Sequence, residues 1–208
     1  ACAPFRRLHL CHHNLETIET NKYDSNNAKD DLLAEVCYAA KREGETLTTQ
    51  HGKHQGTNKD SKICTVLARS FADIGDIVRG RDLFYGNDEE KKQRDKLDEN
   101  LKEIFKKIHS EVTSGSNGKL KKRYKDDDKN FYRLREDWWT ANRHTVWKAI
   151  TCDAKAFNYF RNTCNGGEGT KGYCRCNGDK PDDDKANIDP PTYFDYVPQY
   201  LRWFEEWA

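Results

Sequence analysis

Residues 61–80 read SKICTVLARSFADIGDIVRG, and this stretch carries the clearest fold signal in the chain. Its apolar side chains recur at steps of three and four, which is the period of one helix face. Ser61 can cap the first turn, and Gly80 follows the last apolar position as a stop. The apolar stripe is broad, so we predict a core helix, with apolar positions at Ile63, Val66, Leu67, Phe71, Ile74, Ile77 and Val78.

Helical spacing recurs along the rest of the chain, and no segment shows the sustained alternation of a strand. Asn87, with Glu90 three residues later, is typical of a capping box that opens a helix. Gly44 indicates the end of an earlier helix. We therefore predict an all-α fold with surface loops at 44–60, 113–129 and 165–190, and with further helices at 26–42, 87–112 and 129–151, from Asp153 to about Cys164, and from about Pro198.

Eight cysteines accompany a low apolar content. Hydrophobic residues make up 35% of the chain, so the core needs additional stabilisation. Each disulfide in a secreted domain contributes about 2–4 kcal/mol, whereas a cytosolic protein would keep its thiols reduced. We predict an oxidising compartment and a disulfide role for Cys2, Cys11, Cys37, Cys64, Cys152, Cys164, Cys174 and Cys176.

The eight cysteines fall into an early group of four and a late group of four. We expect pairing within each group, and each group allows three pairings. Cys2 could instead have a partner upstream of the chain.

Charge and motif content exclude several functional classes. The formal net charge is +1 at pH 7, which argues against a nucleic-acid partner. The chain has no GxSxG, no HExxH and no phosphate-binding glycine loop, so we expect neither an enzyme nor a cofactor. The histidines and cysteines lack the paired spacing of metal ligands, and we expect no metal.

Apolar runs are far too short to cross a membrane. The chain begins with Ala1-Cys2 and stops inside the apolar-periodic run 200–207. We therefore expect a fragment of a larger protein, which would meet a membrane only through its other parts.

Two basic segments are candidates for binding a sulfated glycosaminoglycan. The first contains Lys119, Lys121, Lys122, Arg123 and Lys125. Its dense positive charge suits sulfate groups, because arginine can engage two oxygens and lysine acts as a point charge. The alternative interpretation is a solvated connector that is neutralised by the acids at 126–128.

The second segment contains Lys91, Lys92 and Arg94 on the helix that Asn87 opens. Acidic residues interleave with these cations, so ordinary pairing along the helix is the stronger interpretation.

Three tryptophans could offer aromatic faces to a sugar. Trp138, Trp139 and Trp147 share helical spacing, however, and large aromatic side chains usually fill cores. We favour core packing.

Several long motifs carry a family resemblance. The clearest are ARSFADIGDIVRG at 68–80 and DYVPQYLRWFEEWA at 195–208, with further matches at 2–11, 32–41 and 152–161. In these motifs the chain closely resembles the Duffy-binding-like alpha domain of the erythrocyte membrane protein 1 adhesins of malaria parasites. The resemblance covers nearly all of the chain.

The resemblance implies a disulfide-stapled helical fold with a loop-rich first subdomain, which we place at 1–64. A helical-bundle subdomain would follow at 65–208, cut inside its last helix, and a third subdomain would be absent.

The function implied is that of a variant surface antigen in cell adhesion or rosetting, on the extracellular face of the infected host erythrocyte membrane. The partner would be a heparan sulfate-like glycan, a blood-group sugar or a complement receptor, and antibodies would also bind. The alternative is a structural or immune-decoy module that positions neighbouring adhesive domains.

Overall fold

The computed structural model describes residues 2–24, 27–54, 62–114, 118–125, 127, 129–155, 157–183 and 185–208. The described chain is all-α, as predicted, and contains no strand beyond two isolated bridges. Its helices are α1 Phe5–Leu8, α2 His13–Glu16, α3 Ala28–His54, α4 Ile63–Arg79, α5 Asp88–Ser114, α6 Gly118–Tyr124, α7 Tyr132–Ile150 and α8 Gln199–Trp207. None of the helices in these ranges combines the length and apolar character that crossing a bilayer requires.

Helix α4 forms the centre of the core, and almost every one of its side chains is buried. The ring of Phe71 packs against those of Trp139 and Trp147, with centroid distances of 5.1 and 5.2 Å. Gly80 ends the helix at a φ of 72°, a left-handed conformation that glycine adopts without strain. The predicted core helix and its stop are both confirmed.

The three tryptophans of α7 belong to this core. Trp138, Trp139 and Trp147 are only 6%, 0% and 2% exposed, so their rings offer no face to a sugar. The core-packing interpretation is confirmed.

Helix α3 is longer than the sequence predicted. It continues through Gly44 to His54, so the predicted stop at Gly44 and the loop from residue 44 are wrong up to residue 54. Residues 55–60 of that loop lie outside the described ranges. A Cβ atom at Gly44 would lie 2.0 Å from the carbonyl oxygen of Ile150, so this glycine allows α3 and α7 to touch.

The contact at Gly44 gives a direct test of the α3–α7 crossing. We expect Gly44→Ala to destabilise the fold by about 1–3 kcal/mol or more, because the neighbour is backbone and must shift. Gly118→Ala is the matched control, since no atom lies within 4 Å of its added Cβ. Urea unfolding measures both variants, and equal stabilities would contradict the proposed role of Gly44.

Three further local predictions had different outcomes. The capping box is confirmed, because Asn87 Oδ1 accepts from the backbone N–H of Glu90 at 3.0 Å and Glu90 Oε2 accepts from that of Asn87 at 2.7 Å. The predicted loop at 113–129 contains α6. The predicted helix from Asp153 to Cys164 is wrong: the described residues there form turns and irregular chain, held by a hydrogen bond from Tyr159 N–H to Thr170 Oγ1.

Two disulfides cross-link the chain, Cys64–Cys174 and Cys164–Cys176. The first joins the early group to the late group across 110 residues, so the prediction that Cys64 pairs within its own group is wrong. It ties the irregular segment after α7 to the first turn of α4. Among the described residues the remaining four, Cys2, Cys11, Cys37 and Cys152, carry no disulfide, and burial raises the pKa of the Cys37 thiol to about 11.

The proposed subdomain boundary at residues 64 and 65 falls inside the first turn of α4. Side chains from both sides of it, such as Val36 and Phe71, belong to one hydrophobic cluster. The division into two subdomains stays a prediction.

Two buried carboxylates on α4 bind arginines from both ends of the chain and from α4 itself. Asp73 accepts from Arg6 of α1 at 2.7 Å and from Arg202 of α8 at 2.6 Å. One turn further on, Asp76 accepts from Arg202 at 2.5 Å and from Arg79 at 2.8 Å. The N-terminal segment and the last helix are thereby fixed to the same face of α4.

The two carboxylates respond differently to this setting. Burial would raise the pKa of Asp73, but the charges of Arg6 and Arg202 outweigh it and hold that pKa below its usual value. At Asp76 burial is the stronger effect and raises the pKa in spite of Arg202 and Arg79. Of the two carboxylates, Asp73 is therefore the one whose ionised form the fold stabilises.

Replacement of Asp73 should be costly, because Arg6 and Arg202 would lose the buried carboxylate that they share and would each keep one counterion, Glu206 and Asp76. We expect Asp73→Asn to lower the free energy of unfolding by about 3 kcal/mol at neutral pH, the lower end of the range for breaking a buried ion pair. Glu45→Gln is the control: it removes an exposed pair with Arg42, 3.4 Å long, and should cost about 1 kcal/mol or less.

The cost of Asp73→Asn should also depend on pH. A lowered carboxyl pKa contributes stability above the pKa of the unfolded chain, about 3.9, and loses it as the pH falls through the folded value. The difference between wild type and variant should therefore shrink below about pH 4. A difference that stays constant through this range would argue against stabilisation of the ionised carboxylate.

Candidate functional site

The first basic segment forms a short surface helix, α6, that packs on α5. Tyr124 is buried, Leu120 packs against the core, and the rings of Tyr124 and His109 of α5 are 6.4 Å apart. Leu120 and Tyr124 are four residues apart and so share the inner face of α6. The outer face carries exposed cations.

Arg123 does not belong to that free outer face. Its Nε and Nη2 donate to the two carboxylate oxygens of Asp137 on α7, at 2.5 and 2.6 Å. The hydroxyl of Tyr124 donates to the same carboxylate at 2.8 Å. The hydrogen bond from Arg123 is the main cause that lowers the pKa of Asp137, and this pair holds α6 against α7.

Asp127 does not neutralise the cations of the first basic segment, which is the role that the sequence suggested for the acids at 126–128. Its two carboxylate oxygens accept from the backbone N–H groups of Arg133 and Leu134, at 3.1 and 3.0 Å. These are the second and third residues of α7, so Asp127 caps that helix. Asp126 and Asp128 lie outside the described residues.

Three lysines of the segment remain free. Lys121, Lys122 and Lys125 are exposed and form no ion pair within the part of the chain that the structure describes. Lys121 and Lys122 lie on α6, and Lys125 is the residue that follows its last turn, so the three cations lie within five positions of one another. Lys119, also exposed, already has an interaction partner. We call the surface of Lys121, Lys122 and Lys125 the α6 lysine face.

The second basic segment lies elsewhere on the molecule. Lys91 lies in the first turn of α5, whereas α6 packs beside His109 of the same helix. At a rise of about 1.5 Å per residue, these two positions are about 27 Å apart along the helix axis. Lys92 pairs with Glu89 at 3.2 Å, and the Arg94 guanidinium lies over the Tyr85 ring at 5.2 Å. The two segments therefore do not form one continuous basic surface.

The N-terminal histidines are engaged with a carboxylate. His12 Nδ1 and His13 Nδ1 lie 2.9 and 3.1 Å from the oxygens of Glu16, and the interaction with His12 is the main cause that lowers the pKa of Glu16. Over the described ranges, no cluster of three histidine, cysteine or carboxylate side chains is arranged to hold a metal ion.

The described chain is thus a disulfide-linked helical scaffold on whose surface α6 exposes Lys121 and Lys122. The chain belongs to the Duffy binding domain family, whose model matches residues 1–202.

Solved structures of related domains agree with this assignment. The NTS-DBL1(alpha-1) domain of Plasmodium falciparum membrane protein 1 (PfEMP1) from the varO strain is 44% identical, with a TM-score of 0.77 over 100% of this chain and 43% of that one. The varO NTS-DBL1-alpha and CIDR-gamma double domain is 43% identical, with the same TM-score, over 100% of this chain and 27% of that one.

A third relative is described by its ligand. The PfEMP1 IT4var13 DBLbeta domain, an ICAM-1-binding domain, is 33% identical with a TM-score of 0.68, over 97% of this chain and 41% of that one. This chain thus spans less than half the length of these relatives. No curated protein sequence matches it.

Proposed function

We propose that the chain is a receptor-binding adhesion domain whose α6 lysine face contacts a sulfated glycan of the heparan sulfate type. The observation that carries this proposal is the exposure of Lys121, Lys122 and Lys125 without internal ion pairs. Membership of the Duffy binding domain family and the ICAM-1-binding relative support a role in recognition rather than catalysis.

The physical basis is a shared electrostatic attraction. One exposed ion pair contributes only about 0.2–1 kcal/mol, so binding requires several lysines to act on one polyanion together. Sulfates along a chain can meet Lys121, Lys122 and Lys125 at the same time. Screening limits such attraction to about 8 Å at physiological salt, which makes the binding strongly dependent on salt.

The proposed setting follows from the relatives. We place the domain in a larger PfEMP1-like protein on the extracellular face of the infected erythrocyte membrane, where antibodies would also reach it. A blood-group sugar or a red-cell protein such as a complement receptor remains an alternative receptor.

The rival function is a structural or immune-decoy module that positions neighbouring adhesive domains. One observation favours it: a relative joins its corresponding domain to a second, CIDR-gamma domain within a double-domain structure.

Heparin binding distinguishes these possibilities. We expect the oxidised chain to bind immobilised heparin and the triple variant Lys121→Ala, Lys122→Ala, Lys125→Ala to bind about 3- to 150-fold more weakly, because three ion pairs of about 0.2–1 kcal/mol each are removed. Surface plasmon resonance at about 0.15 M salt, and again at higher salt, measures the affinity and its salt dependence.

Two controls sharpen this experiment. Lys92→Ala removes a lysine paired with Glu89 at the far end of α5 and should leave the affinity unchanged. Arg123→Ala should lower stability more than affinity, because Arg123 is occupied by Asp137. Absence of heparin binding, or equal binding by the triple variant, would remove the α6 lysine face as a glycan site and leave the other receptors and the positioning role as the explanations to compare.

A further inference from the structure

Two exposed Asn-Gly sequences form a matched pair of turns in the irregular chain after α7. Each follows a cysteine of the Cys164–Cys176 disulfide, so that two Cys-Asn-Gly sequences are held side by side. The side chains of Asn165 and Asn177 are exposed and in contact, since Nδ2 of the first donates to Oδ1 of the second. An asparagine that precedes glycine loses its side-chain ammonia most readily, because glycine has no Cβ to hinder attack by its own backbone nitrogen.

Both turns have the type I′ conformation. Asn165 and Gly166 have φ angles of 49° and 79°, and Asn177 and Gly178 have φ angles of 58° and 66°. In each turn a backbone N–H closes back on the carbonyl oxygen of the cysteine, at 2.9 Å in the first turn and 3.0 Å in the second. Positive φ at both central residues defines the type I′ turn.

A flip of the central peptide would convert either turn from type I′ to type II′ and keep its closing hydrogen bond. The flip carries ψ of the asparagine from 20°, its value at Asn177, to about −120°. At that angle the glycine nitrogen lies on the same side as the asparagine Cβ and within reach of its side-chain carbon, Cγ. Neither turn is crowded, because an added Cβ at Gly166 or Gly178 would have no atom within 4 Å. The groups that hold the central peptide therefore control the reaction.

The two turns differ in what holds that peptide. Lys185 Nζ donates to the carbonyl oxygen of Asn177 at 2.7 Å, and the flip would turn this oxygen away and break the bond. The carbonyl oxygen of Asn165 accepts no hydrogen bond in the described chain.

The side-chain contacts do not reverse this difference. The contact between the two amides restrains both asparagines. The second acceptor of the Asn165 amide, Glu168 Oε2, is exposed and 3.4 Å away, so water competes with it. Asn165 is therefore the residue with the lower barrier.

We propose that Asn165 is a site of spontaneous deamidation and that Lys185 protects Asn177 from the same reaction. The Gly166 nitrogen forms a bond to Cγ of Asn165 and the Cγ–Nδ2 bond breaks, so that ammonia leaves with the proton of the attacking amide. Water then opens the resulting succinimide at either carbonyl and gives aspartate or isoaspartate. One water is consumed, one ammonia is released, and nothing is oxidised or reduced.

The product changes the surface beside the disulfide. A carboxylate replaces a neutral amide, and isoaspartate adds one methylene to the backbone of the turn. The N–H group that Asn165 donates to Asn177 is also lost. The reaction involves only the chain's own peptide bonds and is independent of the proposed glycan receptor.

Peptide mapping by mass spectrometry tests the proposal on the oxidised chain during incubation at mildly alkaline pH. We expect Asn165 to convert about tenfold faster than Asn177, because the flip at Asn177 must first break a hydrogen bond to a charged group. Lys185→Ala should raise conversion at Asn177 to the rate at Asn165 and leave Asn165 unchanged. Lys171→Ala is the matched control, an exposed lysine of the same segment that forms no hydrogen bond or ion pair in the described chain, and it should behave like wild type.

The reduced chain in urea gives the reference rates, because without the fold two Cys-Asn-Gly sequences should convert alike. Asn162, which is exposed but precedes threonine, should stay unconverted in the same digests. Equal rates at Asn165 and Asn177 in the folded chain would overturn the proposal, as would an unchanged rate at Asn177 in Lys185→Ala. Absence of conversion at Asn165, under conditions in which the unfolded chain converts, would overturn it too.

Discussion

The fold depends on two carboxylates at the centre of the molecule. Asp73 and Asp76 lie one turn apart on α4 and bind the guanidinium groups of Arg6, Arg79 and Arg202. Each buried charge would be expensive alone and becomes acceptable only because it is paired, with Arg6 and Arg202 coming from other segments and Arg79 from α4 itself. The N-terminal segment and helix α8 are therefore positioned by the same helix that fills the apolar core.

Signals that act over three or four residues could be predicted from the sequence. The apolar stripe and glycine stop of α4 and the capping box of Asn87 and Glu90 are complete within one helical turn, so the sequence displays every group they need. The sequence also predicts the lysines of the candidate site, because a dense group of positive charges is visible within a few neighbouring residues. The family resemblance supports the predicted fold class for a related reason, because it rests on continuous stretches of sequence that can be compared directly.

Contacts between distant residues account for what the sequence did not disclose. Gly44 has the residue type of a helix stop, but its partner is the Ile150 carbonyl, more than one hundred positions away. The Cys64–Cys174 bond spans a similar separation. In the sequence, Arg123 cannot be distinguished from the lysines beside it, because its partner Asp137 lies on α7 and is brought next to it only by the fold. Nothing in the spacing of the segment distinguishes the cation that holds α6 in place from those that are free to bind.

The different roles of the side chains of α6 have a consequence for how its sequence can vary. The carboxylate of Asp137 anchors the helix through Arg123 and Tyr124, whereas Lys121 and Lys122 neither pack nor pair in the described chain. Folding places little constraint on those two positions. Substitutions should therefore be tolerated at the two lysines and disfavoured at the arginine and tyrosine beside them, since loss of either would detach α6 from α7.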